Sequence, residues 1–147
     1  MIGKLAVICS FLIFLSCRHS ETAEALGTTA QITRAVEMMR LSSNHDKQLW
    51  LARLETLTCR SPDVCQLKET CQKAYAEHLK ALDMIDLARQ KMALLAEDSA
   101  VPDASAESML EAAMLAQDAQ RLLGKTRVSM RKCAENEAVI RQRYGIH

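Results

Sequence analysis

Residues 62–97 read PDVCQLKETCQKAYAEHLKALDMIDLARQKMALLAE, and their spacing decides the fold. Val64, Leu67, Cys71, Ala74, His78, Ala81, Ile85, Ala88, Met92 and Leu95 recur at alternating steps of three and four. That spacing keeps one stripe of a helix facing a partner helix. Ser61 before Pro62 makes a good helix start. The serine oxygen can accept from a free backbone N–H, and proline at the first position lacks the N–H that would go unpaired. The pattern predicts a helix from Pro62 to about Glu97.

Working outward, residues 105–144 carry a second stripe: Met109, Ala112, Ala116, Ala119, Leu123, Thr126, Met130, Cys133, Glu137, Ile140 and Tyr144. Pro102 lies in the expected loop of residues 98–104, and Gly145 follows the expected helix end. Folding the chain at Pro102 sets the stripes face to face. Cys71 meets Cys133, Ala74 meets Met130, Ala81 meets Leu123, and Met92 meets Ala112. Small residues repeatedly face large ones, as an interdigitated core requires. Glu137 opposite Leu67 is the misfit, and a local twist is expected to carry it to solvent. Upstream, a first helical stretch is expected from Thr28 to Thr58, with a break near Ser42-Ser43-Asn44 where Asn44 is the candidate cap. A second fold near Pro62 then places Leu57 on Leu67, Trp50 on Ala74, Met39 on Ile85, Val36 on Ala88 and Ile32 on Met92. The expected fold is all-α: an up-down-up three-helix bundle with long second and third helices, braced by disulfides. Lys68, Glu69, Lys80, Asp83, Arg127 and Arg131 lie between the stripes and read as its solvated outer face.

Composition agrees. Aromatics make up 3% of the chain, and glycine and proline together number six. Few residues break helices, and no long period-two alternation suggests a strand.

Cys59, Cys65, Cys71 and Cys133 form an even set, which in an exported chain is a disulfide count. Of the three connectivities, the facing stripes favour Cys71–Cys133, leaving Cys59–Cys65 to staple the turn. Five residues separate each of Cys59, Cys65 and Cys71 from the next, too many for a zinc knuckle. On a helix, six residues rise about 9 Å and turn about 240°, so Cys65 and Cys71 cannot share one ion. No metal site is expected.

His78 is the residue on the seam with the most chemistry. Its layer is expected to hold Thr126 and Asp46, a candidate polar layer of Asp46, His78 and Thr126. A paired Asp46 would raise the histidine pKa. No Glu-x-x-His, Gly-x-Ser-x-Gly, His-Glu-x-x-His or phosphate loop occurs, so no catalytic residue and no cofactor is assigned. The methionines, Met38, Met39, Met84, Met92, Met109, Met114 and Met130, read as core filling, and Trp50 as an anchor of the first helix.

The N-terminus sets the address. Lys4 precedes an apolar run from Leu5 to Leu15, too short to span a bilayer and of the length of a signal-peptide core. Phe14-Leu15-Ser16-Cys17 ends that run and resembles a bacterial lipobox. The family usually carries Leu three residues before the cysteine and a small or β-branched residue two before, where this chain has Phe14 and Leu15. The resemblance implies lipidation of Cys17 and a membrane held through that lipid. Arg18, in place of Asp, resembles lipoproteins sent to an outer membrane where the host has one. Ala23-Glu24-Ala25 offers the alternative, a small-x-small cleavage giving a secreted or periplasmic chain. The expected organisation is a signal peptide at 1–16, a lipidated tether at 17–27 and a bundle domain at 28–147. Loss of residues 1–16 leaves 18 basic and 18 acidic residues. A domain without net charge has no long-range field for nucleic acid, so none is expected as partner. The function expected is a non-catalytic protein-interaction or structural module at the cell envelope, its protein partner unidentified. The alternative is a small-ligand, pH or metal sensor using the His78 layer.

Overall fold

The computed structural model describes the backbone of residues 3–97 and 102–146 and the side chains of residues 22–95 and 106–146. All regular structure among these residues is helical: α1 (Gly3–Leu41), α2 (Asn44–Thr56), α3 (Pro62–Glu97) and α4 (Pro102–Tyr144).

Four helices stand where three were expected, because the break at Ser42-Ser43 is a full reversal. Ser43 is extended (φ −61°, ψ 163°), and its side chain accepts from the Asp46 N–H at 3.3 Å. Ser43 is therefore the cap, and Asn44 is the first helical residue. The Asp46 carboxylate accepts in turn from the Ser43 hydroxyl at 2.7 Å. The two bonds fix a two-residue corner that sends α2 back along α1. Trp50 and Arg53 of α2 and Leu57 at its C-cap consequently line one groove with Gln31, Arg34 and Ala35 of α1.

This reversal changes the register of the first helix. Running antiparallel to α2, α1 crosses the root of the hairpin from α3 to α4: Ala25 lies beside Val64, Tyr75 Oη donates to the Val36 carbonyl at 3.4 Å, and Arg40 reaches Glu137. The expected pairings of Met39 with Ile85, Val36 with Ala88 and Ile32 with Met92 do not form. The α2 part of the expected register is close to what is seen. Lys68 Nζ donates to the carbonyls of Glu55 (2.7 Å) and Leu57 (2.6 Å). Lys68 is thus no outer-face residue. It closes the C-terminal end of α2, where unpaired carbonyls and the helix dipole favour a cation.

α3 and α4 form one long antiparallel hairpin. Its register is marked by contacts between Asp63 and Arg143, Asn136 and Thr70 (3.4 Å), Ser129 and Glu77 (3.5 Å), and Lys91 and Glu111 (2.6 Å). Cys71 and Cys133 are bonded across the seam, and Cys59 is bonded to Cys65 at the turn into α3. α4 starts at Pro102, earlier than the expected Ser105, because proline costs a helix nothing at its first position. Residues 98–101, the rest of the expected loop, lie outside the described residues. At the far end Gly145 takes φ +66°. The Ile146 N–H reaches the Arg141 carbonyl and the Gly145 N–H the Gln142 carbonyl, the paired bonds that close a helix through a left-handed glycine.

The core sits in the root of the hairpin. Ile32, Val36 and Met39 of α1, Leu54 of α2, Val64, Leu67, Ala74 and Tyr75 of α3, and Cys133 and Ile140 of α4 make one buried cluster. α1 enters it earlier than the expected start at Thr28. The helix is continuous through residues 17–27, Ala25 is buried, and Thr29 Oγ1 donates to the Ala25 carbonyl at 2.8 Å. Cys17, the expected lipidation site, lies outside the residues whose side chains are described. Towards the tip the packing thins. Gln48 and Leu51 of α2 still sit beside Leu79, Lys80 and Asp83. Beyond that level the fully buried positions among the described residues are alanines: Ala88, Ala112 and Ala119. Two helices meeting over alanine approach closely but leave their larger side chains no third surface to cover them.

Candidate functional site

Three arrangements carry chemistry. The first is a charge cluster in the core. Glu137 occupies the seam, and its packing does not carry it to solvent as expected. Its side chain is only 5% exposed and accepts from Arg40 Nη2 at 2.7 Å, with Arg141 Nη1 at 3.9 Å. Arg40 lies in the last turn of α1, which crosses the hairpin root to bring it onto α4. Burial works against the Arg40 charge, but the Glu137 carboxylate outweighs it and raises the guanidinium above its ordinary pKa. Tyr75, buried beside them, has its phenol pushed up by burial. The cluster is partnered from within, so it anchors α1 to α4.

The second lies at the base of the hairpin. Asp63 accepts from the Ser61 hydroxyl, from Arg143 and from the Val64 N–H (2.9 Å), with Tyr144 Oη at 3.4 Å. Burial favours the neutral acid, yet the bonds from Ser61 and Arg143 hold its pKa below the usual carboxylate range. Arg60 and Glu24 pair at 3.2 Å across the mouth of a groove lined by Thr22, Ala25, Pro62 and Val64. The Cys59–Cys65 bridge fixes this corner.

The third is the tip of the hairpin. Leu87, Met92, Leu94, Met109, Leu110 and Met114 are each between 46% and 65% exposed. All six lie in the part of α3 and α4 that extends past α2. Met92 and Met109 were assigned to the seam. Leu87, Leu94, Leu110 and Met114 are off it, and seam reading alone passes over them.

No hydrogen bond among the described residues joins Asp46, His78 and Thr126, the expected polar layer. Asp46 is exposed and bonded to Ser43. Thr126 is buried, with Oγ1 on the Leu123 carbonyl of its own helix at 3.0 Å. His78 is half-buried, and its pKa is lowered by burial and then by the Lys47 ammonium, opposite to the direction an Asp46 pair would give. The side chain next to His78 is thus the one after Asp46. Among the described residues no group of three or more His, Cys, Asp or Glu could hold a metal ion, and no helix is long and apolar enough to cross a membrane. No protein-family model, curated protein or solved structure matches this chain.

Proposed function

We propose that this chain is an envelope-anchored lipoprotein that acts as a non-catalytic interaction or structural module. Its working surface is the exposed tip of the α3–α4 hairpin. One observation carries the reading. Leu87, Leu94, Leu110 and Met114 stand 47% to 65% exposed on a two-helix rod clear of the core. Fully burying one such side chain is worth about 1.5–3 kcal/mol, so several of them left in water along the rod favour a covering partner. The root, with two disulfides and a buried ion pair, supplies a rigid base for such a tip.

The anchor reading rests on the apolar run Leu5–Leu15 and its closing Cys17. In it the acyl groups on Cys17 hold the domain at the membrane, the outer membrane where the host has one. Ala25, beside Pro62 and Val64 at the root, then places the tip at the end away from the lipid. The sensor alternative has no bonded ligand set behind it, since Asp46 is bonded to Ser43 and Thr126 to the Leu123 carbonyl of its own helix.

Two measurements test the proposal. Intact mass of the mature chain should show a mass increase of acyl size on a chain beginning at Cys17, with no free thiol. An unacylated chain beginning after Ala25 would exclude the anchor. Affinity capture from detergent-solubilised envelopes should recover a defined protein partner, lost when Leu87 and Leu94 are both changed to Glu. Copurification of a metal or small molecule with no protein would overturn the interaction reading.

A further inference from the structure

α3 carries two neighbouring stripes in its distal half. The first, Ala81, Ile85, Ala88, Met92 and Leu95, faces α4. The second is Met84, Leu87, Lys91 and Leu94, one residue behind it with the same three-four spacing and past the end of α2. A helix with two adjacent stripes is built to touch two neighbours, as in a four-helix bundle. α4 has a matching second stripe: Glu111, Leu115, Asp118 and Leu122. The 2.6 Å bond between Lys91 and Glu111 shows that both second stripes lie on the same flank of the hairpin. That flank is largely apolar, and its charges are sorted by helix, Lys91 on α3 and Glu111 and Asp118 on α4.

We propose that this flank binds a second copy of the chain, tip beside tip, to form a four-helix bundle. The inference rests on the interaction-module reading and names its partner. A two-fold axis running along the hairpin sets α3 of one copy against α4 of the other at equal height. Leu87 then meets Leu115 of the second copy, and Lys91 lies between its own Glu111 and that of the neighbour. Lys91 faces the acidic stripe of the other copy at both contacts, so the surface is complementary to itself. The arrangement points both tips the same way, which suits two chains rooted in one membrane. A strongly acidic or basic partner would leave one of the two charged stripes repelled.

Photo-crosslinking of the full chain in its own envelopes tests this, with p-benzoylphenylalanine in place of Leu87. The expected product has twice the chain mass, with the linked peptide mapping to residues 111–122 of the other copy. Lys91→Glu and Glu111→Lys, each expressed alone, should cut that product at least tenfold, since each sets like charges together. Expressed together as distinguishable chains, they should restore it as a mixed dimer. An internal role for the Lys91–Glu111 pair cannot give that result, because each chain still carries its own internal clash. Helicity and non-reducing mobility of both variants report that they fold. A crosslink only to a different protein overturns the second copy but leaves the interaction module standing. No crosslink from Leu87 or from Leu94 overturns both.

Discussion

The Arg40–Glu137 pair makes an asymmetric prediction. Glu137 is 5% exposed and Arg40 is 43% exposed at their side chains. Changing Arg40 to Met strands a carboxylate in the core, with only Arg141 at 3.9 Å. Breaking a buried pair this way costs about 3–5 kcal/mol. The partial exposure of Arg40 means that water already screens the pair, so we expect about 2–3 kcal/mol at pH 7. Changing Glu137 to Met instead frees an arginine that can turn into water, at a cost of about 1 kcal/mol or less. The double variant replaces the pair with apolar volume and should lie nearer to wild type than Arg40→Met does. Urea melts at pH 7 measure all three. For a domain of this size, 2–3 kcal/mol corresponds to a fall of roughly 8–12 °C in Tm. An Arg40→Met variant that costs no more than Glu137→Met would refute the asymmetry.

Four further outcomes are expected. The folded pKa of Asp63 is depressed, so its contribution is present above the unfolded value near 4 and is lost as pH falls through the folded one. Arg143→Ala should make acid unfolding less steep below about pH 4, read by circular dichroism. His78 shifts the other way for a base: with its folded pKa below about 6.5, stability is full above that pH and declines as pH drops towards the folded value. NMR titration should find a midpoint below 6.5 that moves up in Lys47→Ala; a midpoint above 6.5 would restore the Asp46 pairing. The Cys71–Cys133 bridge spans 62 residues, worth about 4 kcal/mol on a chain-entropy estimate. Both its cysteines are buried, whereas Cys59 and Cys65 are half-exposed, so mild reductant should open Cys59–Cys65 first by mass mapping. Finally, Thr33 Oγ1 is buried with no hydrogen-bond partner among the described residues, so Thr33→Val should raise stability by about 1 kcal/mol in a thermal melt.

Much of the hairpin could be read in the residues because its signals are local. Alternation of three and four along α3 and α4, Pro62 after Ser61, and Gly145 after Tyr144 each act within a turn or two of chain. The first helix was harder for a physical reason. Ser42-Ser43 can kink a helix or reverse it, and the difference lies in one extended residue whose cap bond is invisible in composition. That one choice decides whether α1 meets the tip of α3 or its root. Everything dependent on it was hidden too. Tyr75 is off the seam and reads as exposed until α1 covers it. Glu137 reads as a misfit until Arg40 arrives from 97 positions away. Asp46 was misplaced at the same point, because the corner at Ser43 engages it for itself. The second stripe of α3 was present in the sequence throughout, but it has meaning only once α2 is known to stop short of it.

Cys71–Cys133 sits near the root of a hairpin about 54 Å long, as the rise of the 36 residues of α3 gives. Such a latch divides the rod unequally. Opening that begins among the alanines of the free end can run back only as far as the bridge. Amide exchange should therefore fall into two tiers, fast along the outer reach and slow below the latch. A pull on the tip would peel the outer turns and let them recoil, while the base kept its shape.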